Sequence, residues 1–243
     1  MRLKIYLKSE NSFLIPFNYN YIISSIIYNK ISDLELAKEL HLLKTFKFFT
    51  FSQLNIPKRK IIKEGIISKD GAVNFQISSP NENLIKSLVE GHLDDLSVNF
   101  KGKQLFVEKI ELLGEPEIKN HMSVKTISPI IVRKKKDIDG KLKIWDLNPA
   151  DQKFYGSLEN NLVKKYNQFY DKEVTSDEIN ISSNMGFVKR KRITIEKDNI
   201  KTFHRAFMMD LELEGNLNLI KFAYDCGLGE KNSLGFGMIG YIY

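Results

Sequence analysis

Cysteine is nearly absent from the 243 residues, with Cys226 the only one, so neither a disulfide framework nor a multi-cysteine zinc site can form within one chain. An intracellular setting fits. Long apolar runs are lacking too: Met1 to Glu10 alternates apolar with polar residues, so no signal peptide or membrane span is expected there and the protein is expected to be soluble and cytoplasmic. Histidine occurs four times, and the two adjacent acid pairs, Asp94-Asp95 and Asp177-Glu178, belong to no metal-ligand motif, although His92 lies two residues before the first. A two-metal nuclease is therefore disfavoured, and no metal or other cofactor is expected. No standard nucleotide fingerprint is present: Gly235 is followed by Phe236 rather than Lys-Ser/Thr, and the glycines near the end lie after a helix-like segment and before a strand-like one.

What is present suffices for a core, with 42% apolar and 11% aromatic residues. The 37 Lys and Arg against 30 Asp and Glu leave a formal charge of +7, which suggests a polyanionic partner. Net charge is weak support, because Lys, Ile and Asn abound together, as they do in A/T-rich coding. Clusters are more informative.

Taken in order, Leu3, Ile5 and Leu7 alternate as in a half-buried strand, and Ile22, Ile23, Ile26 and Ile27 recur at helical spacing from Tyr19 to about Ile31. Ser32-Asp33 caps a second helical run, Leu34 to Leu40. Phe46 to Leu54, Lys58 to Ile67 and Ala72 to Ser79 read as β, Pro80-Asn81 opens a helix closed near Gly91, and strands follow over Ser97 to Phe100 and Leu105 to Leu113. The pattern then recurs: strand from Ser123 to Lys134, helix from Pro149 to Tyr170, strands over Glu178 to Ser182, Val188 to Ile195 and Thr202 to Glu212, helix Leu217 to Tyr224, strand Phe236 to Tyr243. This predicts an α+β chain of two tandem ferredoxin-like (RRM-like) βαββαβ domains, residues 1–118 and 119–243, with Gly114, Pro116 and Asn120 interrupting the periodicity between them.

The chain's most distinctive stretch is Gly227-Leu-Gly-Glu-Lys-Asn-Ser-Leu-Gly-Phe-Gly237. Two readings stand side by side. Gly227, Gly229, Gly235 and Gly237, which carry no Cβ, can expose bare N–H groups as an anion cradle with Lys231, Asn232 and Ser233 as side-chain donors; or they form a turn from a helix into the last strand. The pattern G-x-G-x5-G-x-G resembles the glycine-rich signature of the RAMP superfamily of CRISPR-associated proteins. The wording Gly-Leu-Gly-Glu-Lys-Asn-Ser-Leu-Gly-Phe-Gly-Met is similar to that of the repeat-processing endoribonucleases of the sixth CRISPR-associated family. Secondary agreement comes from Thr126-Ile-Ser-Pro-Ile130 and Leu88-Val-Glu-Gly-His-Leu93.

The resemblance implies tandem ferredoxin-like domains and metal-independent cleavage of CRISPR repeat RNA, leaving 2′,3′-cyclic phosphate and 5′-hydroxyl ends. The family's histidine follows a Tyr-Asn-x-Ile segment and a short helix, which here are Tyr28-Asn-Lys-Ile31 and Ala37-Lys-Glu-Leu-His41. The resemblance therefore implies catalytic roles for His41, Tyr28 and Lys47, with Lys44 a nearby competitor for the lysine role. Histidine titrates near working pH, and a lysine can offset charge on the phosphorus oxygens. On the residues alone, His41 between leucines reads as a structural histidine more readily than a catalytic one, while Tyr28 can be core and Lys47 a solvated strand residue. His92, His121 and His204 receive no role.

Lys189, Arg190, Lys191 and Arg192 form the densest basic cluster, with alternation sending the lysines to one strand face and the arginines to the other. Arg133 to Lys136 and Lys58 to Lys60 are the runners-up; a solvated turn is the alternative for each. The cluster and the glycine loop are the expected RNA-binding surface. Expected partners are CRISPR repeat RNA, an effector complex and a second copy of the chain, with no membrane. Two other functions stay open: a non-catalytic RAMP protein that binds repeat RNA or scaffolds an effector complex, and a generic tandem RNA-binding protein.

Overall fold

A computed structural model describes residues 1–42, 46–138, 140–197 and 200–242. In chain order its first half comprises β1 (Arg2–Lys8), β2 (Phe13–Ile15), α1 (Asn20–Asn29), α2 (Leu34–Leu42), β3 (Thr50–Phe51), β4 (Arg59–Ile62), β5 (Gly65–Ser68), β6 (Ala72–Ser78), α3 (Glu82–Asp94), β7 (Ser97–Phe100) and β8 (Lys103–Leu113). The second half comprises β9 (His121–Thr126), β10 (Arg133–Ile138), β11 (Lys141–Asp146), α4 (Gln152–Tyr170), β12 (Ile179–Ser182), β13 (Val188–Lys197), β14 (Ile200–Gly215), α5 (Leu217–Cys226) and β15 (Ile239–Tyr241).

The alternation in β1 turns Leu3, Ile5 and Leu7 into the core, under Ile23, Ile26 and Ile27 of α1 and Leu84, Ile85 and Leu88 of α3. Each such buried side chain contributes about 1.5–3 kcal/mol relative to exposure. β1 lies between β6 and β8 in an antiparallel sheet of order β3-β6-β1-β8-β7. In the second half β9 is likewise central, in the order β12-β14-β9-β15, with Phe154, Leu158 and Leu162 of α4 and Leu219, Ile220 and Ala223 of α5 packed against it. Both halves follow the antiparallel βαββαβ order, so the tandem ferredoxin-like fold is present. Among the described residues, no helix is long and apolar enough to cross a membrane.

Helix limits follow capping chemistry. The side-chain oxygen of Asn81 accepts from the Asn83 and Leu84 N–H groups at the start of α3, Asp151 accepts from Lys153 in α4, and Asn216 accepts from Asn218 in α5. Gly91 does not end α3, as its residue type suggested. The helix runs on to Asp94, and a Cβ at Gly91 would stand 2.2 Å from the Lys30 carbonyl oxygen at the end of α1. The glycine lets two helices touch.

Other expected strands are shorter or divided. Only Thr50 and Phe51 of the aromatic run pair as a strand, and Phe48 takes a positive φ of 50°. Lys58 to Ile67 folds as the β4–β5 hairpin, which joins β2 in a separate three-stranded sheet. Ser123 to Lys134 ends as β9 at Thr126, and the chain then forms a β10–β11 hairpin that periodicity did not indicate. β13 pairs with the first part of β14 in a long hairpin projecting from the second sheet.

The halves are joined by polar contacts as well as apolar ones. Arg2, only 3% exposed, donates from Nη2 to the carbonyls of Tyr224 (2.8 Å) and Ile239 (3.0 Å), and its guanidinium lies 3.7 Å from the Tyr224 ring centre. Burial pulls its pKa down.

Two helical glycines test the role of close approach by opposite signs. Gly91→Ala should lower stability by at least about 1 kcal/mol despite alanine's better helix propensity, because the backbone of Lys30 must move. Gly156→Ala in α4, where the nearest atom to a new Cβ is 3.9 Å away, should raise it by roughly 0.5–1 kcal/mol. Denaturant midpoints of the two variants against wild type decide the matter.

Candidate active site and nucleic-acid interface

Tyr28 lies near the end of α1, half-buried, with its ring 5.7 Å edge-on to Phe49. Desolvation pushes its hydroxyl pKa up to about 12. Lys47 stands two residues before Phe49 and donates from Nζ to the Leu40 carbonyl in the last turn of α2. Its own pKa is lowered by burial. Tyr28 thus packs on the segment that carries Lys47, and Lys47 bonds the last turn of the helix that carries His41. The His41 side chain and Lys44 lie outside the described residues.

Beside Lys47 a cavity of about 280 Å³ is lined by Leu36 and Glu39 of α2, Asn81 before α3, and Gln168 and Phe169 of α4. Phe48 closes it by packing 5.0 Å from the Phe169 ring. The space belongs to both halves of the chain.

The glycine loop is largely internal. Gly227, Gly229, Gly235 and Gly237 are all buried, with φ values of 83°, 68°, 77° and 76°, in the left-handed region where a Cβ is disfavoured. A Cβ on Gly235 would meet the Phe51 ring at 2.3 Å, and one on Gly237 the Leu228 carbonyl oxygen at 1.8 Å. The Gly227, Gly235 and Gly237 N–H groups donate to the carbonyls of Ala223, Asn232 and Pro129, so they are already engaged. The loop's carbonyls turn inward instead. Lys165 of α4, 1% exposed, directs Nζ to the carbonyl of Gly227 (2.5 Å), that of Gly229 (3.3 Å) and Asn232 Oδ1 (3.1 Å). Asn232 Nδ2 in turn donates to the carbonyls of Leu228 and Phe236.

The loop also docks on the first half. Thr50 Oγ1 donates to the Phe236 carbonyl at 2.8 Å, and Asn20 of α1 donates to that of Leu234 at 2.8 Å. Its rim is formed by Glu230, Lys231, Ser233 and Leu234, each half-buried. Glu230 is gripped by Arg133 through Nε at 2.8 Å and the backbone N–H at 2.9 Å. Lys231 is close enough to Arg133 and Asp146 for their charges to act on it, and burial lowers its pKa.

In the basic cluster, Lys189, Arg190 and Arg192 are exposed and Lys191 is half-buried. Cross-strand pairing sets Arg190 opposite Phe207 and Arg192 opposite Arg205 of β14. Lys231 and Asp146 both act on His204, the neighbour of Arg205, so the loop rim and the arginine strand meet there. Tyr28 lies on α1, Lys47 on the segment after α2, and the cluster on β13.

Two family models cover most of the chain: "CRISPR-associated protein Cas6, N-terminal" matches residues 14–111 and "CRISPR associated protein Cas6, C-terminal" matches residues 113–241. The chain belongs to the Cas6 family. Among its Cas6 relatives is the "CRISPR-associated endoribonuclease Cas6 1" of Methanocaldococcus jannaschii, 41% identical over 98% of this chain and 92% of the relative. A solved structure described as "CRISPR associated protein Cas6" is 40% identical, with a TM-score of 0.84 over 100% of this chain and 99% of the other. A second, "An RAMP protein binding different RNA substrates", is 29% identical, with a TM-score of 0.85 over 100% of both chains.

Within this Cas6 chain, sequence reasoning passed over Lys165, Trp145 and Arg205. Lys165 could have been noticed: Leu158, Leu162, Lys165 and Phe169 share a helical stripe, so a lysine stands where the period asks for an apolar residue. Arg205 faces Arg192 only through the register of the β13–β14 hairpin.

Lys165→Met should leave the loop oxygens without their buried donor, at about 1–3 kcal/mol for each orphaned acceptor. The expected outcome is a lower melting temperature together with faster amide exchange across 227–237. Unchanged exchange in that loop would show that Lys165 does not hold it.

Proposed function

We propose that the chain is an endoribonuclease that cleaves CRISPR precursor RNA once within each repeat, without a metal ion. The reading is supported by a chain 41% identical to a named Cas6 endoribonuclease, in which Tyr28 packs on the Phe49 segment and Lys47 bonds the last turn of the helix bearing His41. The 2′-oxygen on the 5′ side of the cut attacks the adjacent phosphorus, its proton leaves to a base, and the 5′-oxygen departs as it gains a proton. The products are a 2′,3′-cyclic phosphate and a 5′-hydroxyl.

A tyrosine with a pKa of about 12 keeps its proton at neutral pH. That suits Tyr28 to donate toward the departing oxygen and leaves His41 to take the 2′-hydroxyl proton. Lys47 offsets the charge that grows on the phosphorus oxygens. Lys189, Arg190, Lys191 and Arg192 hold the RNA, with Lys231 and Ser233 at the loop rim. Gly227, Gly229, Gly235, Gly237 and Asn232 act by shaping that rim. We divide the chain functionally at 118/119, and assign the enzyme to the cytoplasm with its RNA. An effector complex and a second copy of the chain are its further partners.

A second reading, a RAMP protein that binds repeat RNA without cutting it, draws on the likeness to the RNA-binding RAMP structure. Incubation with repeat RNA in excess EDTA separates the two. Wild type should cleave, and His41→Ala should lose about 10²–10⁴-fold in rate while still binding. Binding without cleavage by wild type supports the second reading, and cleavage of an RNA with a 2′-deoxy nucleotide before the cut excludes attack by the 2′-oxygen.

Lys47 has its own test in the pH–rate profile. Its lowered pKa means that the ammonium loses its proton at a lower pH than an ordinary lysine would, so the rate should fall early on the alkaline side. Lys47→Arg, charged throughout, should lack that alkaline fall. An identical alkaline limb in both proteins would remove Lys47 from charge stabilisation.

A further inference from the structure

Trp145 is the only tryptophan of the chain and is 44% exposed at the end of β11. The Arg205 guanidinium lies 5.1 Å from its ring centre. A similar pair stands beside it, with Arg192 lying 4.6 Å from the ring centre of Phe203, itself 54% exposed. Trp145 borders two adjoining cavities, of about 500 and about 600 Å³. Arg190 and Arg205 line both.

The ring is held from two sides. Lys134 is its partner across the β10–β11 hairpin, and Asp146, the next residue, accepts the Arg205 backbone N–H at 2.8 Å, tying the hairpin to β14. Among the described residues, Arg190, Arg192 and Arg205 make no ion pair. Three guanidinium groups thus stand around an exposed aromatic surface, with the carboxylates of Asp146 and Asp151 also lining its cavities. Asp146 and Asn148 add polar groups to the first cavity.

Cations alone would suit any polyanion, and a duplex meets a basic surface with its phosphates. Exposed rings capped by guanidinium groups match a different chemistry, the face of an unpaired base with phosphates on either side. We propose that Trp145 is the stacking platform for one unpaired nucleobase of bound RNA, with Arg190, Arg192 and Arg205 gripping its flanking phosphates. The inference rests on the repeat-RNA reading above and adds to it a point at which single-stranded RNA is read.

Because Trp145 is the sole tryptophan, its fluorescence reports the contact directly. Titration with single-stranded repeat RNA should quench the emission in parallel with a gel shift. A set of repeats carrying one abasic site each should include a position whose loss restores the emission. Trp145→Ala should weaken binding about 5- to 150-fold, the range for stacking one base. Trp145→Phe, which keeps a ring, should recover part of that loss. Full binding with unchanged emission overturns the inference, as does quenching by the fully duplexed repeat equal to that by the single strand. It is equally overturned if Trp145→Ala, folded by circular dichroism, binds as wild type. Failure of wild type to bind repeat RNA at all would instead remove the repeat-RNA reading, and this inference with it.

Discussion

The ammonium group of Lys165, carried into the interior by α4, is the fixed point about which the C-terminal loop is wound. An ammonium offers three donors, and here it meets three oxygens, two from the loop backbone and one from Asn232. Bringing that charge out of water is costly unless every donor finds an acceptor. The loop must present its carbonyls inward, and glycines at positive φ allow it to do so. The glycine signature is thus first a folding device, and the rim it creates is where Lys231 and Ser233 reach the surface.

That device also joins the two halves. A loop belonging to the second sheet lays Gly235 on the Phe51 ring of the first and takes hydrogen bonds from Thr50 and Asn20. Arg2 performs the reverse service, leaving β1 to bond two carbonyls of the second half. The segment of Lys47 leads directly into Thr50 and Phe51, so the proposed reactive end of α2 and the loop are referenced to the same short strand. In a chain that must hold a flexible polyanion in register with a reacting phosphate, this rigidity suits a positioning role.

The outer surface follows a different logic. The β10–β11 and β13–β14 hairpins project from the second sheet and carry Trp145, Arg190, Arg192 and Arg205, exposed rather than packed. Among the described residues these arginines form no ion pair, whereas Arg133 and Glu230 neutralise one another at the loop rim.

Much of this was legible beforehand. Alternation in β1, the helical period of α1 and α4, and cap residues such as Asn81 are local properties, each decided by the few residues around it. They sufficed for the βαββαβ order, and the resemblance at the glycine loop sufficed for the family. Gly91 looked like a helix stop, since periodicity does not show that the Lys30 carbonyl will lie against it. The glycine loop read as a turn or as an anion cradle, since its wording does not reveal which way the carbonyls face once a lysine sixty-odd positions earlier is buried beneath it. Local periodicity thus determined elements and topology from the sequence by itself. Only the tertiary structure decided that Lys165 holds the loop and that Trp145 meets Arg205, because those contacts depend on strand register and helix placement between residues far apart in the chain.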